Sequence, residues 1–549
     1  MHQLIGYTMQ LWFWKHFIFH SLCMWLILVA HASNGEPLGL KLIHKFSDEA
    51  RALLQHRSGG KLEPWPSKGS MDFYRMLHNH DRGRHERKLS TNGEVTFSKG
   101  METAQLADQF GWLYYTLVDV GTPNKTFLVA LDTGSDLFWV PCQCKQCAPR
   151  SAPGYPNLVQ FLNVYSPAES VTSKPVSCSN SLCDLSNSCV SGTDQCPYSI
   201  QYLSTNTSTS GTLVEDIMYF SSRDPSKAPL LQVSVIFGCG QVQTGTFLEG
   251  GAPDGLLGLG LRGISLPSFL ARGGLVQDSF SMCFVPEFSG RILFGDKGDL
   301  AQQTTPFVPF NNSYPLYAVG LEQIFVGIES IAFQSAMIFD TGTTFSYFLP
   351  EIYQAVTKAF DTQVQLQRIP AADISAPFEF CYATSASGEL LVPDFSVTFS
   401  GGGNFSVLSP YILLADPKNK IVGFCLAILP STAPIIGQNF MTGYNIVFDR
   451  QELKLGWVPS NCSKSVAGGE PLTSQVPSIS PIPSSPAKSP SFFIAPSPFQ
   501  PPTSNPPAPL VSRSPSGSPP APPSASSHSS PLNFILAAFP VGLLLLHGF

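Results

Sequence analysis

Hydrophobic and polar positions alternate on a short beat over most of this chain. From about Trp112 to Val458, β-branched and aromatic runs at residues 112–120, 233–237, 291–294 and 444–448 are separated by clusters of Gly, Pro, Asn and Ser. Short apolar runs bounded by turn formers predict strands. Helical candidates are brief, at residues 266–271 and 350–360. The pattern predicts an all-β body. Two of its strands run into the same kind of tight turn. Residues 126–130 lead into Leu131-Asp132-Thr133-Gly134-Ser135, and residues 331–338 lead into Phe339-Asp340-Thr341-Gly342-Thr343.

The beat fails at both ends. Lys15 precedes an apolar stretch at residues 17–29, and Ala30-His31-Ala32 offers small residues for cleavage, so 1–32 reads as a secretory signal peptide. Residues 467–531 are dominated by Pro and Ser, which cannot bury a core and predict an extended stalk with the composition of an O-glycosylated one. Residues 532–549 are apolar with no Lys or Arg after them, and small residues Ser524, Ala525 and Ser526 lie upstream. That arrangement predicts a GPI-anchor signal, with one of those three as attachment residue; a single C-terminal transmembrane anchor is the alternative. The expected location is the extracellular face of the plasma membrane.

Charge divides what remains. Residues 33–90 hold 11 Lys+Arg and 7 Asp+Glu, whereas residues 91–466 hold 18 and 30. A basic segment beside an acidic body predicts a prosegment docked by electrostatic attraction and released by acid. The predicted organisation is signal 1–32, prosegment 33–90, N-terminal lobe 91–300, C-terminal lobe 301–466, stalk 467–531 and anchor signal 532–549. An exported acidic body argues against a nucleic-acid partner.

None of the 11 histidines lies between Arg87 and His528. The body therefore cannot host a Ser-His-Asp triad, a Cys-His pair or a histidine-ligated metal. Twelve cysteines follow the signal: Cys142, Cys144, Cys147, Cys178, Cys183, Cys189, Cys196, Cys239, Cys283, Cys381, Cys425 and Cys462. In an exported chain an even number predicts up to six disulfides rather than a zinc site at Cys142–Cys147, with connectivity left open. Sequons at Asn124, Asn206, Asn311, Asn404 and Asn461 fit a surface glycoprotein. Gly258-Leu-Gly260-Leu-Arg-Gly263 matches a dinucleotide fingerprint, but no strand–helix alternation surrounds it, and it reads as close strand packing.

Without histidine, metal or covalent intermediate, peptide hydrolysis needs two carboxylates. One, ionised, takes a proton from water, and the other, protonated, donates to the carbonyl oxygen. Asp132 and Asp340 are the candidates. Gly134 and Gly342 would donate backbone N–H groups to them, Ser135 and Thr343 would bind their outer oxygens, and Thr133 and Thr341 could tie the two loops together.

These motifs resemble the pepsin-type aspartic proteases, in particular their cysteine-rich plant branch of nucellin-like and nepenthesin-like enzymes. The resemblance runs from about Tyr115 to Val458. It rests on Asp132-Thr-Gly-Ser-Asp-Leu-Phe-Trp139, on Asp340-Thr-Gly-Thr-Thr, and on the supporting runs Asp254-Gly-Leu-Leu-Gly-Leu-Gly260 and Ile435-Ile-Gly437. Phe448-Asp449-Arg450 and Leu455-Gly-Trp457-Val resemble the family's closing strands. The resemblance implies a bilobal fold with the site in a cleft between two β-rich lobes, a monomeric endopeptidase acting on peptides or proteins at acidic pH, and no cofactor or metal. It implies that Tyr202 is the flap tyrosine with Trp139 as its hydrogen-bonding neighbour, and it suggests a Cys381–Cys425 pair. Where the family often carries glycines after the flap tyrosine, this chain has Tyr202-Leu203-Ser204-Thr205. The rival expectation is a catalytically inactive protease-fold binding or inhibitor protein at the cell surface.

Overall fold

A computed structural model describes residues 38–58, 65–89, 113–148, 163–184, 188–202, 207–220, 231–248, 251–252, 254–285, 289–310, 316–370, 377–385, 390, 392–416, 418 and 420–462. The signal, stalk and anchor segments, the flap tip at 203–206, Asn206 and Asn311 lie outside these residues. Among the described residues no helix is long and apolar enough to cross a membrane.

The strands form sheets of fourteen, seven and four members, the all-β class expected from the pattern and the bilobal architecture implied by the resemblance. Each Asp-Thr-Gly turn follows a strand, the first buried on both faces and the second buried only toward its end, at Met337 and Phe339. Lys125–Asp132 is buried from Phe127 onward and pairs in parallel with Leu256–Gly258. Glu329–Phe339 pairs in parallel with Ile435–Ile436. A strand covered on both faces reads as a continuous apolar run, which is why the first was visible in the sequence.

The glycines after the supporting runs are required by contact. A Cβ at Gly258 would stand 2.2 Å from the Asp136 carbonyl carbon, and one at Gly437 would stand 2.1 Å from the Phe345 oxygen. The dinucleotide-like run is thus a steric consequence of strands passing close to an active-site loop.

The fourteen-stranded sheet belongs to both halves of the chain. Tyr444–Asp449 pairs with Ser279–Val285, and Lys454–Pro459 pairs with Gln303–Pro306. Phe448 stacks on Phe280 at 4.7 Å between ring centroids, and Tyr317 meets Phe448 edge-on at 4.8 Å. The two helical candidates form as Leu266–Arg272 and Pro350–Gln363, each with proline in its first turn. The second buries Ile352, Tyr353, Val356 and Phe360 along one face.

All twelve cysteines are paired: Cys142–Cys239, Cys144–Cys147, Cys178–Cys189, Cys183–Cys196, Cys283–Cys462 and Cys381–Cys425. Cys381 and Cys425 are register partners on neighbouring strands. The Cys142–Cys147 cluster is divided between two disulfides, so it is no zinc site.

The N-terminal segment is built into the sheet of the body. Leu38–His44 is a strand inserted between Ser289–Phe294 and Tyr114–Val120, and two helices follow, Asp48–Ser58 and Met71–Leu89. The ion pairs of Lys41, Arg51 and Arg75 are made to Glu49, Asp48 and Asp72 of the same segment. Strand pairing, buried side chains and the buried Asp81 carboxyl all join segment to body. Phe46, Phe73 and Leu77 share an apolar cluster with Phe345, Tyr347, Phe378, Ile412 and Leu414.

Candidate active site

Both aspartates sit at strand ends and are held by equivalent donors. Asp132 accepts the Gly134 N–H on Oδ1 at 3.2 Å and the Ser135 hydroxyl on Oδ2 at 2.6 Å. Asp340 accepts the Gly342 N–H on Oδ1 at 2.8 Å and the Thr343 hydroxyl on Oδ2 at 2.8 Å. The two carboxylates are 5% and 7% exposed, so donors and not solvent fix their orientation. Thr133 and Thr341 are buried beside them.

A run of bonds connects the two turns. The Phe339 N–H donates to the Tyr317 carbonyl, the Tyr317 hydroxyl donates to the Leu259 carbonyl at 2.6 Å, and the Leu259 N–H donates to the Asp132 carbonyl. Tyr317 thus links the residue before Asp340 to Asp132 itself. Sequence reasoning missed it, because a tyrosine just before an apolar strand has no local mark of a bridging role.

Tyr202 and Trp139 are hydrogen-bonded neighbours. The Trp139 indole N–H donates to Tyr202 Oη at 2.8 Å. The Tyr202 N–H bonds the Thr207 carbonyl, closing the hairpin whose tip is 203–206. Burial, reinforced by the charge of Asp132, holds the Tyr202 hydroxyl well above its ordinary pKa, so it remains a neutral donor. Phe247 completes the group: it is fully buried and meets Tyr202 edge-on at 5.0 Å and Trp139 at 4.8 Å. It lies 45 residues from Tyr202 in a short turn, and no motif marked it.

The Asp340 side is covered by the N-terminal segment. His80 Nε2 lies 3.2 Å from the Gly342 carbonyl oxygen, and His80 Nδ1 lies 3.2 Å from Lys45 Nζ. Asp81 is fully buried and accepts the Thr344 N–H at 2.8 Å, the Phe345 N–H at 2.9 Å and the Tyr347 hydroxyl at 3.1 Å. Desolvation pushes the Asp81 carboxyl up to about 7 despite those donors. His44 is also fully buried; its Nδ1 accepts the Phe46 N–H at 3.1 Å, and burial holds its pKa well below the ordinary value.

Of the glycosylation candidates, Asn124, Asn404 and Asn461 are exposed. A cavity of about 520 Å³ lined by Tyr353, Lys358, Asp361, Glu379 and Phe380 contains neither aspartate.

Comparison with known proteins places this architecture in a family. Residues 114–296 match the family model described as xylanase inhibitor N-terminal, and residues 316–459 match xylanase inhibitor C-terminal. The chain is 42% identical to Aspartic proteinase-like protein 1 of Arabidopsis thaliana, covering 80% of this chain and 84% of that relative. It is 26% identical to Aspartic proteinase nepenthesin-2 of Nepenthes gracilis, over 74% of this chain and 90% of the relative. The crystal structure of edgp shares the fold at a TM-score of 0.50 and 20% identity, covering 63% of this chain and 91% of that one. The chain belongs to the plant pepsin-like aspartic protease family.

Proposed function

We propose that the chain is an aspartic endopeptidase, made as a self-covered precursor and tethered outside the plasma membrane. The observation that carries this reading is the equivalent caging of the buried Asp132 and Asp340, each at or just after the end of a strand that pairs in parallel with a supporting run. Two carboxylates sharing one water hold a single proton at acidic pH, because like charges at close range resist joint ionisation. This is the general chemistry of aspartic proteases. The ionised member takes a proton as the water oxygen bonds to the peptide carbonyl carbon, and the protonated member gives its proton to the carbonyl oxygen. Collapse of the tetrahedral diol breaks the C–N bond, the amine leaves with a proton, and the pair returns to its one-proton state.

Tyr202 and Trp139 close over an extended peptide held by backbone hydrogen bonds, with apolar side chains flanking the cut. Residues 33–90 act as the prosegment. That role is supported by His80 and Asp81 lying on the Gly342–Tyr347 loop, where a substrate would approach Asp340. The tether is the lipid anchor read from residues 532–549.

The test is hydrolysis of a denatured protein at acidic pH by the processed ectodomain, with and without a pepstatin-type inhibitor. Asp132→Asn and Asp340→Asn should each lower the rate by about 10²–10⁴-fold, the range spanned by a positioned acid or base. Unchanged hydrolysis in both variants would sink the mechanism. A second reading, an inactive protease-fold inhibitor, is favoured by the names of the matching family models. It gains if the wild-type ectodomain cleaves nothing. For the anchor, a phosphatidylinositol-specific phospholipase should release the protein from cells; retention favours a spanning helix.

A further inference from the structure

Asp81 does more than a plug requires. Covering Asp340 needs only bulk, yet an acid is buried where desolvation opposes its charge. It is held by three donors that all belong to the body. The Thr344 N–H points to Oδ1, while the Phe345 N–H and the Tyr347 hydroxyl converge on Oδ2. The division of donors is informative. A peptide carbonyl has one oxygen, and an amide side chain would set its NH₂ against an N–H donor. Two acceptor oxygens on one carbon are the signature of a carboxyl group.

The surroundings fix how such a group is presented. Phe345 packs edge-on against Phe378 at 5.0 Å, and both belong to the apolar cluster that receives Phe46, Phe73 and Leu77. Next to Asp81 in the chain, His80 reaches the Gly342 carbonyl. Two consecutive residues of the segment therefore occupy consecutive polar positions along the loop that follows Asp340. When the segment leaves, the donors remain, because each is anchored in the body. The Ser346–Phe348 strand carrying Tyr347 stays paired with Ile428–Pro430.

We propose that Thr344, Phe345 and Tyr347 form a subsite of the released enzyme that selects the carboxyl side chain of an aspartate or glutamate in the substrate peptide, and that Asp81 occupies it as an internal surrogate. The assignment rests on the peptidase reading above and deepens it. Within the substrate, the acid sits beside the cut on the Asp340 side, flanked by apolar side chains.

The test uses the full chain, processed by acid, against pairs of internally quenched peptides differing only in Asp versus Asn, or Glu versus Gln, at each position around the cut. At one position the acid peptide should be cleaved with a kcat/KM about tenfold above its amide twin. Tyr347→Phe should reduce that ratio to about threefold or less; because the ratio is taken within one preparation, any loss of folded enzyme cancels. A ratio near one at every position, or a ratio untouched by Tyr347→Phe, overturns the subsite while leaving the peptidase intact.

A second readout does not need hydrolysis. In the unprocessed chain at neutral pH, the rate at which added trypsin cuts the segment is measured for Asp81→Asn, Tyr347→Phe and the double variant. Each single change should speed cutting about tenfold, and the double should add little to either, since both remove one interaction. Fully multiplicative effects overturn the carboxyl assignment. Coupling without any peptide hydrolysis would defeat the peptidase reading and retain a site for acidic peptides.

Discussion

Tyr202 and Trp139 show how much one hydrogen bond can do at a covered site. Tyr202 Oη accepts from an indole inside a fully buried group that includes Phe247. Tyr202→Phe removes that acceptor, and an unmet buried donor costs about 1–3 kcal/mol. The expected result is a lowered thermal midpoint together with a fall in kcat/KM of about tenfold, checked by a melting curve beside steady-state kinetics. At Gly258 and Gly437 the sign reverses. An added Cβ would collide with backbone at 2.2 and 2.1 Å, so Gly258→Ala and Gly437→Ala should each destabilise by about 1–3 kcal/mol or more, read by denaturant unfolding. The aspartates, their caging residues and these glycines were legible in the sequence, because each belongs to a short motif with its own chemistry. Phe247 and Tyr317 were not, since their partners lie far along the chain.

The Met71–Leu89 helix was invisible to the hydrophobic pattern. The face it buries is Phe73, Leu77, His80 and Asp81, at helical spacing, but half of that face is polar. Its pH response follows from the buried groups of the segment. Burial, with Arg82 as a lesser cause, lowers His78 from 6.5 to about 4, and burial lowers His44 well below 6.5. Below about pH 6.5 the released segment therefore binds protons at these two sites that the docked segment refuses, and docking weakens. Asp81 acts in the opposite sense. Its docked value of about 7 exceeds the free value of 3.8, so over that window the docked form binds the extra proton and docking strengthens as pH falls. Between about pH 4 and 6.5 the histidines outnumber the aspartate, and acid releases the segment. Acid release was expected from net charge, and the buried histidines add a contribution of the same sign. The rate of segment loss against pH should flatten in His44→Gln and steepen in Asp81→Asn. A profile that neither variant alters would overturn this account.

At the scale of the whole molecule, the two halves are held by a shared sheet and one long-range disulfide. Cys283–Cys462 closes a span of 179 residues next to the closing strands. Its replacement by two serines should cost about 2–5 kcal/mol, measured as a lowered unfolding midpoint under non-reducing conditions. The division at residue 300 falls within sequence that serves both halves, because Gln303–Pro306 and Tyr444–Asp449 lie in the sheet that also holds Lys125–Asp132. By itself the sequence determined the all-β class, the pair of aspartate turns, the lack of a competing histidine site and an even number of cysteines. These follow from composition and from spacing within a few residues. Tertiary structure alone decided how the ten cysteines other than Cys381 and Cys425 pair, that Tyr317 joins the two turns, and that strand, apolar face and a buried acid connect the basic segment to the body. Those outcomes depend on register and contact between positions up to hundreds of residues apart, where burial changes what a side chain does and no local pattern records it.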